Sequence, residues 1–329
     1  MYIVTGGAGF IGSAMIWKLN QMGIDDILVV DNLASTDKWK NLVNLRYTDY
    51  LHRDRFIKMI AGEDDPFGVS GVVHMGACSS TTERDADFLM ENNTRYTQMV
   101  CRYALKNGAR FLNASSAATY GGGEFGFSDD HAGLGVLKPL NMYGYSKHLF
   151  DLWAQRAGVL DQLASIKFFN VFGPNEYHKS DMRSVICKAY TQISERGQMR
   201  LFRSYRKEFP DGGQMRDFVY IKDCVDIMWW LMEHPQANGV INVGTGIART
   251  WNDLARAVFS AMGKKPNIEY IDMPESIRDK YQYLTRAEMG KLRSLGYTTE
   301  FSTLEDAVAD YVTGYLAKDD AYLDSRKGK

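Results

Sequence analysis

The glycines at positions 6, 9 and 12 of Tyr2-Ile-Val-Thr-Gly6-Gly-Ala-Gly9-Phe-Ile-Gly12-Ser restrict the fold more than anything later in the chain. A short apolar run precedes them, and an amphipathic run through Leu19, closed by Gly23, follows. In the order strand, glycine turn, helix, each glycine has its own steric task. Gly6 permits the tight turn, Gly9 lets the backbone approach a pyrophosphate, and Gly12 lets the helix pack close to the strand. Unpaired N–H groups at the helix start then face the anion. Asp31 closes the next apolar run, Ile27 to Val30, and lies 19 residues beyond Gly12, where a carboxylate meets a ribose hydroxyl. The stretch therefore predicts a bound dinucleotide.

The chain to about Phe169 continues to alternate strand and helix. A polar loop covers Asn32 to Lys40, and a helical region lies around Phe56 to Ile60. The strand Val69 to Val73 runs into His74-Met-Gly76-Ala77, and a long helix is predicted from Asp85 to Lys106. Strands at Arg110 to Ala114 and Ser165 to Asn170 flank a helix from Tyr145 to Ala157. Such alternation predicts an α/β fold, a Rossmann-type doubly wound parallel sheet, with a smaller mixed α/β substrate domain after it. Residues 1–169 form the expected dinucleotide-binding domain, joined by about 215–247, and 170–329 are mainly the substrate domain. In the latter, helices are predicted at Met182 to Arg196, Lys222 to His234, Trp251 to Met262, Arg286 to Leu295 and Leu304 to Leu316. Strands are predicted at Met199 to Phe202, Arg216 to Tyr220 and Gly239 to Val243, a surface loop at Lys207 to Gln214, and a frayed charged tail from Lys318. Ligands in doubly wound sheets sit beyond the carboxyl ends of the strands, so Gly6, Asp31, Gly76, Ser116 and Asn170 should line one crevice.

Bulk properties narrow the partners. Among 329 residues, 39 Lys and Arg balance 40 acids for a net charge of −1, so nothing draws the whole chain to nucleic acid or an anionic membrane. No apolar run approaches the roughly 18 residues of a membrane span. The first strand begins at Tyr2, which leaves no room for a signal peptide, and a cytoplasmic protein is expected. Cys78, Cys101, Cys187 and Cys224 form no CxxC pair and read as reduced thiols, with no metal site.

A second constellation carries chemistry. In Tyr143-Gly-Tyr-Ser-Lys147 the tyrosine and lysine are four apart, which on a helix places both on one face. A free tyrosine titrates near ~10, and an adjacent ammonium that lowered it by ~3 units would supply ~4 kcal/mol. Such a tyrosine is a base usable at neutral pH, and the same lysine can hold ribose hydroxyls. A hydroxyl for the reacting oxygen is available in Ser115-Ser116-Ala-Ala-Thr119, with Ser116 the leading candidate and Ser115 and Thr119 its rivals.

Thr5 to Gly12, Ser115-Ser116, Tyr143-x-x-x-Lys147 and Arg216-Asp-Phe-Val-Tyr-Ile-Lys-Asp223 resemble the extended short-chain dehydrogenases/reductases, the group of nucleotide-sugar epimerases, dehydratases and reductases. In that group a nicotinamide cofactor stays bound and is reduced and reoxidised within one turnover. Ala117 and Ala118 stand where the dehydratases carry an Asp-Glu pair, so dehydration is not expected. Gly76 to Glu83, Ala114 to Gly122, Phe169 to Lys179 and Lys280-Tyr-Gln282 are similar to a branch that inverts C6 of an ADP-linked heptose.

The resemblance implies redox epimerisation of ADP-heptose through a 6-keto sugar, for the lipopolysaccharide inner core. Protonation from two directions needs two acid/base residues: Tyr143 matches one and Lys179 the other, with Ser116 and Lys147 completing the catalytic set. It implies cofactor contacts from Gly6, Gly9, Phe10, Ile11, Gly12, Asp31, Asn32, Lys38, Arg53, Met75, Gly76, Ala77, Cys78, Ser79, Asn92, Lys147, Val171 and Lys179. Asp31 alone favours NAD, whereas Lys38 and Arg53 can meet a 2′-phosphate, and NADP is the expected cofactor. Substrate contacts are implied for Asn170, Asp181, Lys188, Phe202, Arg203, Ser204, Tyr205, Arg216 and Tyr281, with Arg216 on the pyrophosphate or, alternatively, paired with a neighbouring acid. A homo-oligomer, pentameric by family resemblance, is implied. A UDP-hexose 4-epimerase and a non-catalytic dinucleotide sensor remain the alternatives.

Overall fold

The computed structural model describes residues 1–62, 68–278 and 281–326. Lys280 of the resemblance segment lies outside them. Twelve strands are formed among the described residues: β1 Tyr2–Thr5, β2 Ile27–Asp31, β3 Asp49–His52, β4 Gly71–His74, β5 Arg110–Ser116, β6 Leu163–Phe168, β7 Asn170–Phe172, β8 Met199–Phe202, β9 Met215–Tyr220, β10 Gly239–Val243, β11 Ala248–Thr250 and β12 Ile268–Ile271. The helices are α1 Phe10–Gln21, α2 Arg53–Ile60, α3 Ala86–Leu89, α4 Tyr96–Lys106, α5 Met142–Arg156, α6 Val185–Arg196, α7 Ile221–Glu233, α8 Trp251–Ala261, α9 Glu275–Arg278, α10 Gly290–Ser294 and α11 Leu304–Tyr311.

Seven strands make one parallel sheet in the order β10-β6-β5-β4-β1-β2-β3. Because both faces are covered, its central strands read as continuous apolar runs rather than as alternation. Ile3, Val30, Val72 and Phe111 pack on the face that carries Phe56, Val100 and Phe150. Val4, Val29, Val73 and Leu112 point the other way, into a cluster with Ile16, Leu19, Ile227 and Leu231. The chain winds outward from β1 to β3 and then returns to β4, so the winding reverses between β1 and β4. That point in a doubly wound sheet opens a ligand crevice. The backbone there is tight: a Cβ on Gly6 would lie 2.6 Å from the Gly76 nitrogen.

The second part is built from the antiparallel β11-β9 pair with β7 beside β9, and from β8 paired in parallel with β12. Asp217 on β9 ties the loops together. Its buried carboxylate accepts from the Thr245, Gly246 and Ala287 backbone N–H groups at 2.7, 2.9 and 2.9 Å.

Several boundaries differ from the sequence reading. Helix α5 begins at Met142 rather than Tyr145, because the Asn141 side chain caps it by accepting from Gly144 N. The 85–106 helix contains one π turn, Met90–Arg95, that reorients Asn92 and Asn93. α6 starts at Val185, capped by Ser184, and Met182 belongs to a separate turn, Tyr177–Met182. The helix expected at Arg286 to Leu295 shrinks to α10, since the Ala287 N–H is held by Asp217. Edge strand β3 was not expected, and neither was β12.

The charged tail is not frayed across its described part. Leu323 is 1% exposed, and Ser325 N donates to Asn44 O at 3.1 Å. Among the described residues no helix is long and apolar enough to cross a membrane, and the four cysteines are free thiols.

Candidate active site

A cavity of about 770 Å³ lies over the carboxyl ends of β1, β2, β4, β5 and β6. Gly6, Asp31, Gly76, Ser116 and Asn170 all line it, as their strand-end positions predict. One wall is the glycine turn. Gly6 has φ +62°, in the left-handed region, and a Cβ on Gly12 would sit 2.1 Å from Gly6 O. The third glycine thus keeps α1 against the turn rather than against the strand. No side chain caps α1, and its opening residues Phe10, Ile11 and Gly12 line the cavity, so N–H groups at its start remain for an anion.

The β2 end forms one corner of the cavity. Asp31 Oδ2 accepts from Ala8 N at 2.9 Å, while Oδ1 takes the Lys38 ammonium at 2.6 Å. A turn at Asp37–Leu42, which starts within the expected polar loop and runs past its end, brings Lys38 back to Asp31. Arg53, at the start of α2, donates to the Asn92 side-chain oxygen Oδ1. Asn93, which sequence reasoning missed, clamps the β4 loop: its Oδ1 accepts from Cys78 N at 2.8 Å and its Nδ2 donates to Cys78 O at 2.9 Å. Only the π turn reveals that role, because it directs adjacent asparagines to different partners.

Ser116, Tyr143 and Lys147 meet on the opposite wall. Ser116 stands close enough to Tyr143 to lower its pKa, and its hydroxyl accepts from Ala118 N at 3.1 Å. The rival hydroxyls are committed elsewhere: Ser115 donates to the buried Asp151 at 2.7 Å, and Thr119 donates to Ser116 O at 2.8 Å. Burial raises the Tyr143 pKa, against the lowering effect of Ser116. The expected lowering by Lys147 is not what the geometry delivers. Lys147 Nζ donates to Ala114 O at 2.7 Å, and burial pulls its own pKa down to about 8. Tyr143 is accordingly a phenol here, the form that gives up a proton.

Lys179 lines the same cavity from the turn after β7. Its ammonium lies 5.2 Å over the Phe10 ring, at the mouth of the glycine turn. Burial lowers its pKa and the Glu176 carboxylate raises it, so the net direction is toward the neutral amine. Beside it, His178 is pushed down to about 4 by burial and is neutral. Ser180, the next residue after Lys179, has φ +47°, a conformation that non-glycine residues adopt at a cost of order 1–3 kcal/mol and that clusters at functional sites.

All eighteen expected cofactor residues line the cavity, with Ser116 and Tyr143. The expected substrate residues divide. Asn170 lines it, but Asp181, Lys188, Phe202, Arg203, Ser204 and Tyr205 do not. Lys188 instead bonds Asp181 O, Arg203 donates to Tyr270 O at 3.2 Å, and Tyr205 donates to Asp272 at 3.0 Å. Arg216 and Tyr281 stand just behind Trp251, a lining residue absent from the sequence reading. Trp251 Nε1 donates to Tyr281 Oη at 3.0 Å, and the Arg216 guanidinium lies 5.7 Å over the Trp251 ring and 5.2 Å over Tyr281. Among the described residues Arg216 pairs with no acid: its NH1 donates to Met215 O, and adjacent Asp217 is occupied by backbone donors.

A doubly wound sheet, an uncapped helix over a glycine turn, a strand-end acid and a Ser-Tyr-Lys wall define a nicotinamide-dinucleotide enzyme. The chain belongs to the NAD dependent epimerase/dehydratase family, whose model matches residues 2–244. It is 67% identical over 323 residues to the ADP-L-glycero-D-manno-heptose-6-epimerase of Nitratidesulfovibrio vulgaris, covering 98% of this chain and 100% of the relative. It is 47% identical to the protein of the same name from Fusobacterium nucleatum, with the same coverage. Among solved structures, the Helicobacter pylori ADP-L-glycero-D-manno-heptose-6-epimerase shares the fold at a TM-score of 0.79 and 24% identity, covering 96% of each chain. A Methanobrevibacter ruminantium UDP-N-acetylglucosamine 4-epimerase does so at 0.76 and 22%, covering 94% of this chain and 96% of the other.

Proposed function

We propose that the chain interconverts ADP-D-glycero-D-manno-heptose and ADP-L-glycero-D-manno-heptose by inverting C6 through a 6-keto sugar, supplying heptose for the lipopolysaccharide inner core. The observation that carries this reading is 67% identity, end to end, with a relative of that name. When bound, the nicotinamide supplies reversible hydride acceptance and return. The protein's own residues supply the rest. Tyr143, as a phenol beside Ser116, gives a proton to the C6 oxygen when the ketone is reduced. It takes that proton back when the alcohol is oxidised, a direction aided by a cationic ring beside it. Ser116 orients the oxygen between them.

Lys179 performs the same exchange for the other face. Its lowered pKa favours the amine that can accept a proton. Lys147 holds the ribose hydroxyls. On the substrate side, Asn170 contacts the sugar, and Arg216, which is buried and has no acid partner among the described residues, takes the pyrophosphate after Trp251 and Tyr281 part. Phe202 to Tyr205, Asp181 and Lys188 contribute only if the β8 rim closes over the nucleotide.

NADP is the cofactor in this reading. The Lys38 ammonium at 2.6 Å offsets the Asp31 charge that would repel a 2′-phosphate, and Arg53 adds a second cation. Residues 1–169 with the β10 return form the cofactor domain, and the remainder forms the substrate domain. The enzyme works in the cytoplasm as a homo-oligomer, a pentamer by family resemblance. The test is incubation of the cofactor-loaded protein with ADP-D-glycero-D-manno-heptose and chromatographic separation of the C6 epimers. Interconversion is expected; its absence, or activity confined to a UDP-hexose at C4, overturns the reading.

A further inference from the structure

The tail that the sequence marks as frayed is bound to the loop that carries Lys179. Tyr177 Oη donates to Ala321 O at 2.7 Å, and the Tyr177 ring meets Tyr322 edge-on at 5.3 Å between centroids. Leu323 is buried, and its N–H donates to Asn175 Oδ1 at 2.9 Å. Asn175 is fully buried in a left-handed conformation, φ +75°. Its Nδ2 donates to Ser13 Oγ at 2.9 Å, on α1 behind the glycine turn. Asn41 closes the circle, donating to Asn175 O at 3.1 Å and to Ala8 O at 2.9 Å. The tail is anchored beyond this point by Arg46, which donates to Ser325 O at 2.8 Å.

We propose that Asn175 and the C-terminal strap 320–326 act as positioning elements, setting where Lys179 stands relative to the phosphate turn and the sugar. The strap joins three pieces that must keep a fixed distance: the start of α1, the Asp37–Leu42 turn that carries Lys38, and the Lys179 loop. Lys179 is four residues from Asn175, and its N–H donates to Glu176 O at 3.0 Å, so a shift of Asn175 passes directly to its backbone. Displacing a reacting group by about 1 Å costs on the order of 100-fold in rate, which makes the position of this loop rate-determining for the Lys179 face. The inference rests on Lys179 being an acid/base residue, and the experiment separates the two claims.

Asn175→Ala and Tyr177→Phe are made in the full chain, alone and combined with Lys179→Met. Epimerisation kcat, bound nicotinamide and melting temperature are measured for each. In Asn175→Ala kcat should fall about 10- to 100-fold, and in Tyr177→Phe several-fold, with nicotinamide content unchanged and KM moved less than kcat. In the Lys179→Met background neither substitution should lower kcat further, because the group being positioned is gone. If Asn175→Ala does not fold, Tyr177→Phe, which removes only a hydroxyl, decides alone. Full additivity with Lys179→Met, or an unchanged kcat in folded Tyr177→Phe, overturns the positioning role. A near-normal rate in Lys179→Met alone overturns the underlying catalytic assignment instead.

Discussion

Substituting Gly12 by alanine tests the cradle most sharply, because the contact it would create is backbone on backbone. The new Cβ would lie 2.1 Å from Gly6 O, 2.8 Å from Gly6 C and 2.9 Å from the Gly7 Cα, whereas ordinary contact begins at 3.4 Å. No rotamer change relieves this overlap, so the start of α1 must withdraw from the turn by about 1.3 Å, the shortfall at Gly6 O. Overpacking of that kind costs roughly 1–3 kcal/mol, and in a chain of this size each kcal/mol lowers the melting temperature by about 1.5 °C. The uncapped N–H groups of α1 move with the helix. Losing one hydrogen bond to a charged phosphate costs roughly 1.5–3 kcal/mol, or about a 10- to 150-fold loss of cofactor affinity. Gly9→Ala is the graded control, since its Cβ would stand 3.0 Å from the same oxygen. Calorimetry and the nicotinamide absorbance of purified protein read both effects. A Gly12→Ala protein that melts within about 1 °C of the parent and holds its usual nicotinamide would refute the steric argument.

Three further outcomes follow from the site. Lys179→Met should reduce epimerisation by about 10²–10⁴-fold, as expected for a lost acid/base residue, with nicotinamide still bound, and single-turnover assays check it. Burial holds the Lys147 pKa near 8, so its ammonium is present below that pH and is lost above it. Nicotinamide affinity should therefore fall as pH rises through about 8, by up to about tenfold per unit, and a flat titration between pH ~7 and ~9.5 would dismiss the ribose role. Lys38→Met leaves Asp31, 7% exposed, without its cation, and should weaken NADP about tenfold more than NAD in paired titrations.

Features set by local sterics were legible in the sequence, and those set by long-range contact were not. The glycine turn, the strand-end acid and the i, i+4 pair of Tyr143 and Lys147 declare themselves because each depends on a few adjacent residues. β3 was missed because it is an edge strand with one inward side chain, Leu51, so it lacks the apolar run of its neighbours. The clamp by Asn93 depends on a π turn that helix periodicity does not signal. Asp217 carries no mark of its four contacts, which come from loops near Thr245 and Ala287. The tail read as solvent-exposed because its partners are remote: Tyr177 lies 144 residues from Ala321, and Asn44 lies 281 from Ser325. The i, i+4 spacing did not show that Tyr143 is buried or that Lys147 turns to the Ala114 carbonyl.

The central claim is that hydride leaves C6 and returns to the same carbon from a cofactor that never departs. ADP-D-glycero-D-manno-heptose deuterated at C6, incubated with the protein in ordinary water, tests it by mass spectrometry of the product. The account predicts an L-glycero epimer that keeps its deuterium at C6. Deuterium washed out into solvent would mean that C6 loses a proton rather than a hydride, and would contradict the redox mechanism.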